Sequence, residues 1–291
     1  MKHLPKQKDL KKEKAEKRSK QKNASSQKDK FRWGFFFLSF AITIALFAGA
    51  FLLASPYLKG YLAKLREGND DTDQSQVSYS SVPTEQTLLA ESSKAPESYL
   101  DDAVFIGDSR TNGMEKYGFI KAKNNFSKDG MSHQNALTEK IVTLGGGSKA
   151  TIPTAIGERR PDVMYVSFGI NGISYLDEES FFSSYAELID ALKQKSSKSA
   201  VVIQSILPVS ASKEKSDPRM LNSIIDYYNH KLLKLAEEKG VYFLDSSSVL
   251  KDSNNKLAAK YDSGDGLHYN QAAYEALMDF ILRHPVPSLV Q

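Results

Sequence analysis

Cysteine is absent from all 291 residues. That excludes disulfides, thiolate metal sites and any anchor built on a lipid-modified cysteine. It leaves an oxidising compartment open, because no thiol is present to be mis-oxidised. Histidine is scarce, with five in the chain, and no His, Asp and Glu cluster has metal-ligand spacing. A phosphate loop is also missing. Gly145-Gly146-Gly147-Ser148-Lys149 lacks the Gly-x-x-x-x-Gly-Lys-Ser/Thr spacing and reads as a helix stop and loop. No internal repeat is visible. Charge, finally, is missing from one stretch: none falls between Trp33 and Pro56.

That uncharged stretch divides the chain. Residues 1–32 carry 13 Lys and Arg against four acids, a net of +9, while the rest holds 26 basic and 31 acidic residues, a net of −5. The basic run abuts Gly34–Ala54, where only Ser39, Thr43 and two glycines interrupt apolar residues. At 1.5 Å per residue this run spans roughly 30 Å, the thickness of a bilayer's hydrocarbon core. Arg32 and Trp33 on one side, and Tyr57, Lys59 and Tyr61 on the other, are placed as interfacial anchors. The expectation is a basic cytoplasmic tail over 1–32 and a transmembrane signal-anchor over 33–55 that contacts membrane lipid. By the positive-inside rule the rest faces outward, which also explains the basic run without nucleic acid. A cleaved signal peptide is the rival, but Ala48-Gly49-Ala50 lies inside the apolar run rather than after it.

Residues 56–98 read as a stalk followed by a linker, since Ser, Asp, Gln, Thr and Pro dominate from Glu67 onward. As a flexible coil that linker would reach roughly 30 Å. From residue 99 to 291 short apolar runs alternate with helical patterns. The runs are Ala103–Ile106, Asp162–Phe168, Ala200–Ile203 and Val241–Leu244. The helical patterns fall at about Asn135–Leu144, Phe181–Gln194, Pro218–Lys239 and Gln271–Arg283. Phe181, Phe182, Tyr185, Leu188 and Ile189 are spaced as a core stripe. Alternation of this kind predicts an α/β domain with a parallel sheet covered on both faces. In such sheets ligands gather at the carboxyl ends of the strands.

Chemistry-bearing residues stand at those ends. Gly107-Asp108-Ser109-Arg110-Thr111 follows the first run, and a serine at a strand-to-helix turn can project its hydroxyl into the crevice. By itself it could equally be a helix cap. Asp265-Gly266-Leu267-His268 offers a histidine as general base, with an aspartate one turn away to fix its tautomer. His133 is the weaker competitor for that role; His230 and His284 have no aspartate at the same spacing. Gly169-Ile170-Asn171-Gly172 places an amide donor after the second run, though Asn-Gly is also an ordinary turn. Asp129-Gly130-Met131 supplies a glycine that would let a backbone N–H approach a substrate.

Together, Ser109, Gly130, Asn171 and His268, in this order, resemble the SGNH, or GDSL, hydrolase family across about Ala103 to Leu282. The resemblance implies a flavodoxin-like three-layer α/β/α sandwich. It implies Ser109 as nucleophile, His268 as general base and Asp265 orienting it. The Ser109 and Gly130 amides and the Asn171 side chain would form the oxyanion hole. It implies no metal and no cofactor. One departure stands out: the family's third block usually reads Gly-x-Asn-Asp, and here Gly172 follows Asn171. The Gly-x-Ser-x-Gly elbow of the other large serine-hydrolase fold is absent, because Thr111 occupies its last place.

The expected activity is a membrane-anchored, extracytoplasmic serine esterase acting on O-acyl, above all acetyl, esters of cell-envelope or exopolysaccharide carbohydrate. An O-acyltransferase would use the same residues, and a silent binding or assembly protein is the rival of another class.

Overall fold

The computed structural model describes residues 87–290. The expected tail at 1–32, the anchor at 33–55 and all but the end of the expected stalk and linker lie outside the described residues. Among the described residues, no helix is long and apolar enough to cross a membrane.

The elements, in chain order, begin with β1 (Ala103–Gly107), α1 (Ser109–Lys116), β2 (Asn125–Ser127), α2 (His133–Ala136), β3 (Lys140–Thr143), β4 (Lys149–Thr151) and α3 (Ile152–Arg159). There follow β5 (Val163–Ser167), α4 (Ile170–Tyr175), α5 (Glu178–Lys195), β6 (Ala200–Gln204), α6 (Ala211–Ser216), α7 (Asn222–Lys239), β7 (Tyr242–Leu244) and α8 (Gln271–Arg283). Five strands form one parallel sheet in the order β2-β1-β5-β6-β7, a flavodoxin-like order, and β3 and β4 pair separately.

Alternate residues of each central strand point to opposite faces, so an unbroken apolar strand feeds two cores. Val104, Ile106, Met164, Val166, Val201 and Ile203 pack with the apolar stripes of α3, α5 and α7. Ala103, Phe105, Val163, Tyr165 and Val202 pack on the other face with Met114 of α1 and with Ala273, Tyr274, Leu277 and Ile281 of α8. The sandwich of three layers follows from that alternation. Helix α5 shows how the sequence sets an element's limits. Asp177 caps it by accepting the Ser180 N–H at 2.8 Å, a contact worth about 1 kcal/mol. Glu178 and Glu179 open it and Lys193 and Lys195 close it, matching the helix dipole.

Three expectations need correction. The stretch Asn135–Leu144 is not one helix: a single turn at α2 gives way to β3, whose partner β4 returns through the glycine-rich turn. A short run containing Ile141 and Val142 satisfies either period, and the turn at 144–148 decides for the hairpin. The expected stop and loop at Gly145–Gly147 is the tip of that hairpin. Second, Leu88 and Leu89, read as part of the linker, pack against the domain. Leu88 bridges Phe243 in parallel, the Leu89 N–H donates to the Phe243 carbonyl at 2.9 Å, and Leu89 is buried. Those contacts cover the free edge of β7, which an exposed strand would otherwise offer to other chains. Third, β2 went unread because Asn125-Phe126-Ser127 is too short and too polar to signal a strand.

Candidate active site

The turn after β1 places Ser109 at the first position of α1. Asp108 precedes it as helix cap, accepting the Arg110 N–H at 2.9 Å. Asp108 is buried, which raises its pKa, while the nearby Arg110 charge pulls the other way. The base comes from an irregular loop before α8. There Asp262 accepts the N–H groups of Gly264 and Gly266 at 2.8 and 2.9 Å, and the loop closes through the Asp262–Tyr269 bridge. It brings His268 Nε2 to 2.9 Å from Ser109 Oγ, although 159 positions separate them in sequence.

The second ring nitrogen completes the chain. His268 Nδ1 lies 2.6 Å from Asp265 Oδ2, and Asp265 Oδ1 accepts the N–H groups of Leu267 and His268 at 2.8 and 2.7 Å. Partial burial would raise the Asp265 pKa, but the His268 side chain and those two amides outweigh it and hold the carboxyl down to about 2. An ionised carboxylate only accepts, so Nδ1 carries the proton and the Nε2 lone pair faces the serine hydroxyl.

Asn171 stands at the start of α4, after β5. Its Nδ2 donates to the Met131 carbonyl at 2.9 Å and, at the long distance of 3.4 Å, to Asp108 Oδ2. It therefore fastens the loop after β2 to the turn after β1. Asp129, in the same loop, accepts from Asn112 Nδ2 of α1 at 2.7 Å. Gly130 follows with φ +76°, a left-handed conformation that favours glycine. Among the described residues, the amides of Ser109 and Gly130 donate to no protein acceptor. The structure thus brings Ser109, His268 and Asp265 into one chain and ties the Asn171 and Gly130 loops to it.

His133 is elsewhere. It is fully buried, with Nε2 3.0 Å from the Phe181 carbonyl and its ring edge-on to Phe181, and burial lowers its pKa to about 4. It fills the space beside Gly172, where an added Cβ would stand 2.7 Å from His133 Cε1 and 2.8 Å from Phe181 Cε2. The aspartate usual after the asparagine therefore has no room here, and the ring packing supports the Asn171 turn instead.

The model of the GDSL-like lipase/acylhydrolase family matches residues 105–276, more than half the sequence. The chain belongs to that family. It is a serine ester hydrolase, with an α/β fold whose parallel sheet is flanked by helices. No curated protein matches the hydrolase's sequence. Among solved structures it is similar to a GDSL-like lipase from Bacteroides thetaiotaomicron, 17% identical, covering 61% of this chain and 84% of that one at a TM-score of 0.48. A lipase/acylhydrolase from Enterococcus faecalis is also 17% identical, covering 62% and 93% at 0.44. A Clostridium thermocellum family 3 carbohydrate esterase is 15% identical, covering 64% and 96% at 0.46.

The sequence had pointed to Ser109, Gly130, Asn171, Asp265 and His268, but not to Arg110. This residue is buried beside the nucleophile and reaches the loop of the base. A charged side chain inside a strand-to-helix turn was the available signal.

Proposed function

We propose that the hydrolase cleaves O-acyl esters, acetyl esters above all, on cell-envelope or exopolysaccharide carbohydrate, with Ser109 as nucleophile. The observation that carries the reading is the unbroken chain from Ser109 Oγ through His268 to Asp265, at 2.9 and 2.6 Å. As Ser109 Oγ attacks the ester carbonyl carbon, His268 Nε2 takes its proton, and the ionised Asp265 stabilises the imidazolium. The carbonyl oxygen becomes an oxyanion, held by the Ser109 and Gly130 amides and, after a small reorientation, by Asn171 Nδ2. Collapse breaks the ester C–O bond, and His268 returns the proton to the departing sugar hydroxyl. Water then attacks the acyl carbon along the same path as His268 takes its proton; the bond to Ser109 Oγ breaks, His268 returns the proton to Oγ, and the acid leaves.

A bulky, soluble acyl donor suits the open rim: the His268 side chain is 41% exposed and Asp265 53%. Tyr175 lies one turn beyond Asn171 on α4 and is 81% exposed. An exposed aromatic ring of this kind suits stacking on the apolar face of a sugar. The apolar run at 33–55 and the +9 tail before it favour a membrane anchor with the domain outside. The same open rim would admit a sugar hydroxyl in place of water, which would make the protein an O-acyltransferase.

A fluorophosphonate probe should label the folded wild type and leave Ser109→Ala unlabelled. Failure to label folded protein would favour a silent binding role. Incubation with acetylated envelope glycans should release acetate only from the labelling-competent form; acetyl groups passed to a second glycan instead would assign the transferase. Protease added to intact spheroplasts should digest the domain and spare the basic tail, and a protected domain would refute the outward topology.

A further inference from the structure

Arg110 is charged, 5% exposed and adjacent to the nucleophile. Burying a guanidinium is costly unless its surroundings compensate, and an apolar residue of similar volume often serves stability as well. Its contacts indicate what the charge is for. Nη1 donates to the Leu207 carbonyl at 2.9 Å, in the loop after β6. Nε donates to the Leu267 carbonyl at 3.2 Å, and the guanidinium carbon lies 5.1 Å from the centre of the Tyr269 ring. Nη2 has no partner among the described residues. Leu267 and Tyr269 are the two chain neighbours of His268. A single side chain rooted one residue after Ser109 thus grips the base's loop on both sides of the base.

The rest of the loop has few other ties at this end. The Tyr269 hydroxyl donates to the Pro208 carbonyl at 2.8 Å, and the Ser210 N–H donates to the Gly266 carbonyl at 2.9 Å. Both run to the segment after β6, which Arg110 also holds through Leu207. The Tyr274 hydroxyl of α8 donates to Arg110's own carbonyl at 2.9 Å. Of these bonds, only those of Arg110 join the nucleophile's helix directly to the residues that flank the imidazole.

We propose that Arg110 is a positioning residue whose planar fork sets the separation between Ser109 Oγ and His268 Nε2 by clamping Leu267 and Tyr269. The proposal rests on the Ser109–His268 reading of the site. A shift of about 1 Å in such a pair costs on the order of 10²-fold in rate. An ammonium cannot replace the fork, because one point donor does not serve two carbonyls and stack on a ring at once.

The test uses the full-length protein in detergent, with p-nitrophenyl acetate as substrate and thermal unfolding followed in parallel. Arg110→Met should lower kcat by about 10²-fold with KM changed less than about twofold. Arg110→Lys, which keeps charge and bulk, should recover less than a tenth of the wild-type kcat while unfolding near the wild-type temperature. In a His268→Ala background, Arg110→Met should lower the residual rate no further, because the group it aligns is gone. Wild-type kcat in folded Arg110→Lys, or a full additional loss on top of His268→Ala, overturns the proposal. Should Arg110→Met fail to fold, Arg110→Lys decides alone. Wild-type activity in His268→Ala would instead overturn the Ser109–His268 reading, whatever the Arg110 variants do.

Discussion

The turn that carries Ser109 and the loop that carries His268 meet across 2.9 Å, yet they are held by different means. The nucleophile's turn lies inside the fold: Asp108, Arg110 and Thr111 are all buried, and the strand behind it is apolar on both faces. The loop of the base is at the surface and owes its shape to local bonds, from Asp262 to two glycine amides and from Asp265 to two further amides. The difference teaches where function and stability are separable. On the exposed flank, a polar side chain can be changed without opening a core. On the buried flank, which includes the partly buried Asn171 and the fully buried His133 ring behind it, the same groups fill space and support the site.

The comparison predicts a graded set of outcomes. The largest effect belongs to Asp265→Asn. The amide would present a donor to His268 Nδ1 and favour the wrong tautomer, so kcat should fall by about 10³-fold. Because the pair is exposed, unfolding free energy should change by less than about 1 kcal/mol. Retained activity at unchanged stability would break the distinction, since the exposed flank would then carry no chemistry.

His133→Gln probes the buried flank through pH. The folded protein takes up a proton at His133 only near 4, whereas the unfolded chain does so near 6.5. Between those values the unfolded state binds more protons, so acid favours unfolding. The stability held by the neutral ring is complete above 6.5 and is lost as pH falls toward 4, by about 3 kcal/mol in all. Urea unfolding at neutral and mildly acid pH should show this loss in the wild type, and the glutamine variant should lack that share of it. An identical pH dependence in both would contradict it.

Gly172→Ala should have the smallest effect. Its methyl group would press on the His133 and Phe181 rings, costing about 1–3 kcal/mol. Activity should fall alongside stability, because Asn171 shares the disturbed turn. A variant as stable as the wild type would show that this flank yields more easily than its packing implies.

Much of the centre was legible in the sequence because its pieces are local. A serine after an apolar run, an aspartate three residues before a histidine and an asparagine at a strand end each declare themselves within a few positions. Helix limits were partly legible: Gln271–Arg283 stands as read, whereas the helix read from Pro218 begins at Asn222, after a single tighter turn at Pro218–Met220. Less was legible where pairing decides the outcome. Strand β2 is defined by its register against β1, and β3 by its partner across the glycine turn. Leu88 and Leu89 looked like linker until β7 supplied an edge for them.

By itself, the sequence determined the strand-and-helix alternation, the family and the chemical types at the carboxyl edge, because period, apolarity and short motifs are properties of neighbouring residues. Only the tertiary structure decided that Ser109 and His268 touch, that His133 occupies the space beside Gly172 and that Arg110 grips the loop of the base. Each is a contact between distant segments, and contacts of that kind exist only once the sheet has set the spacing of its loops.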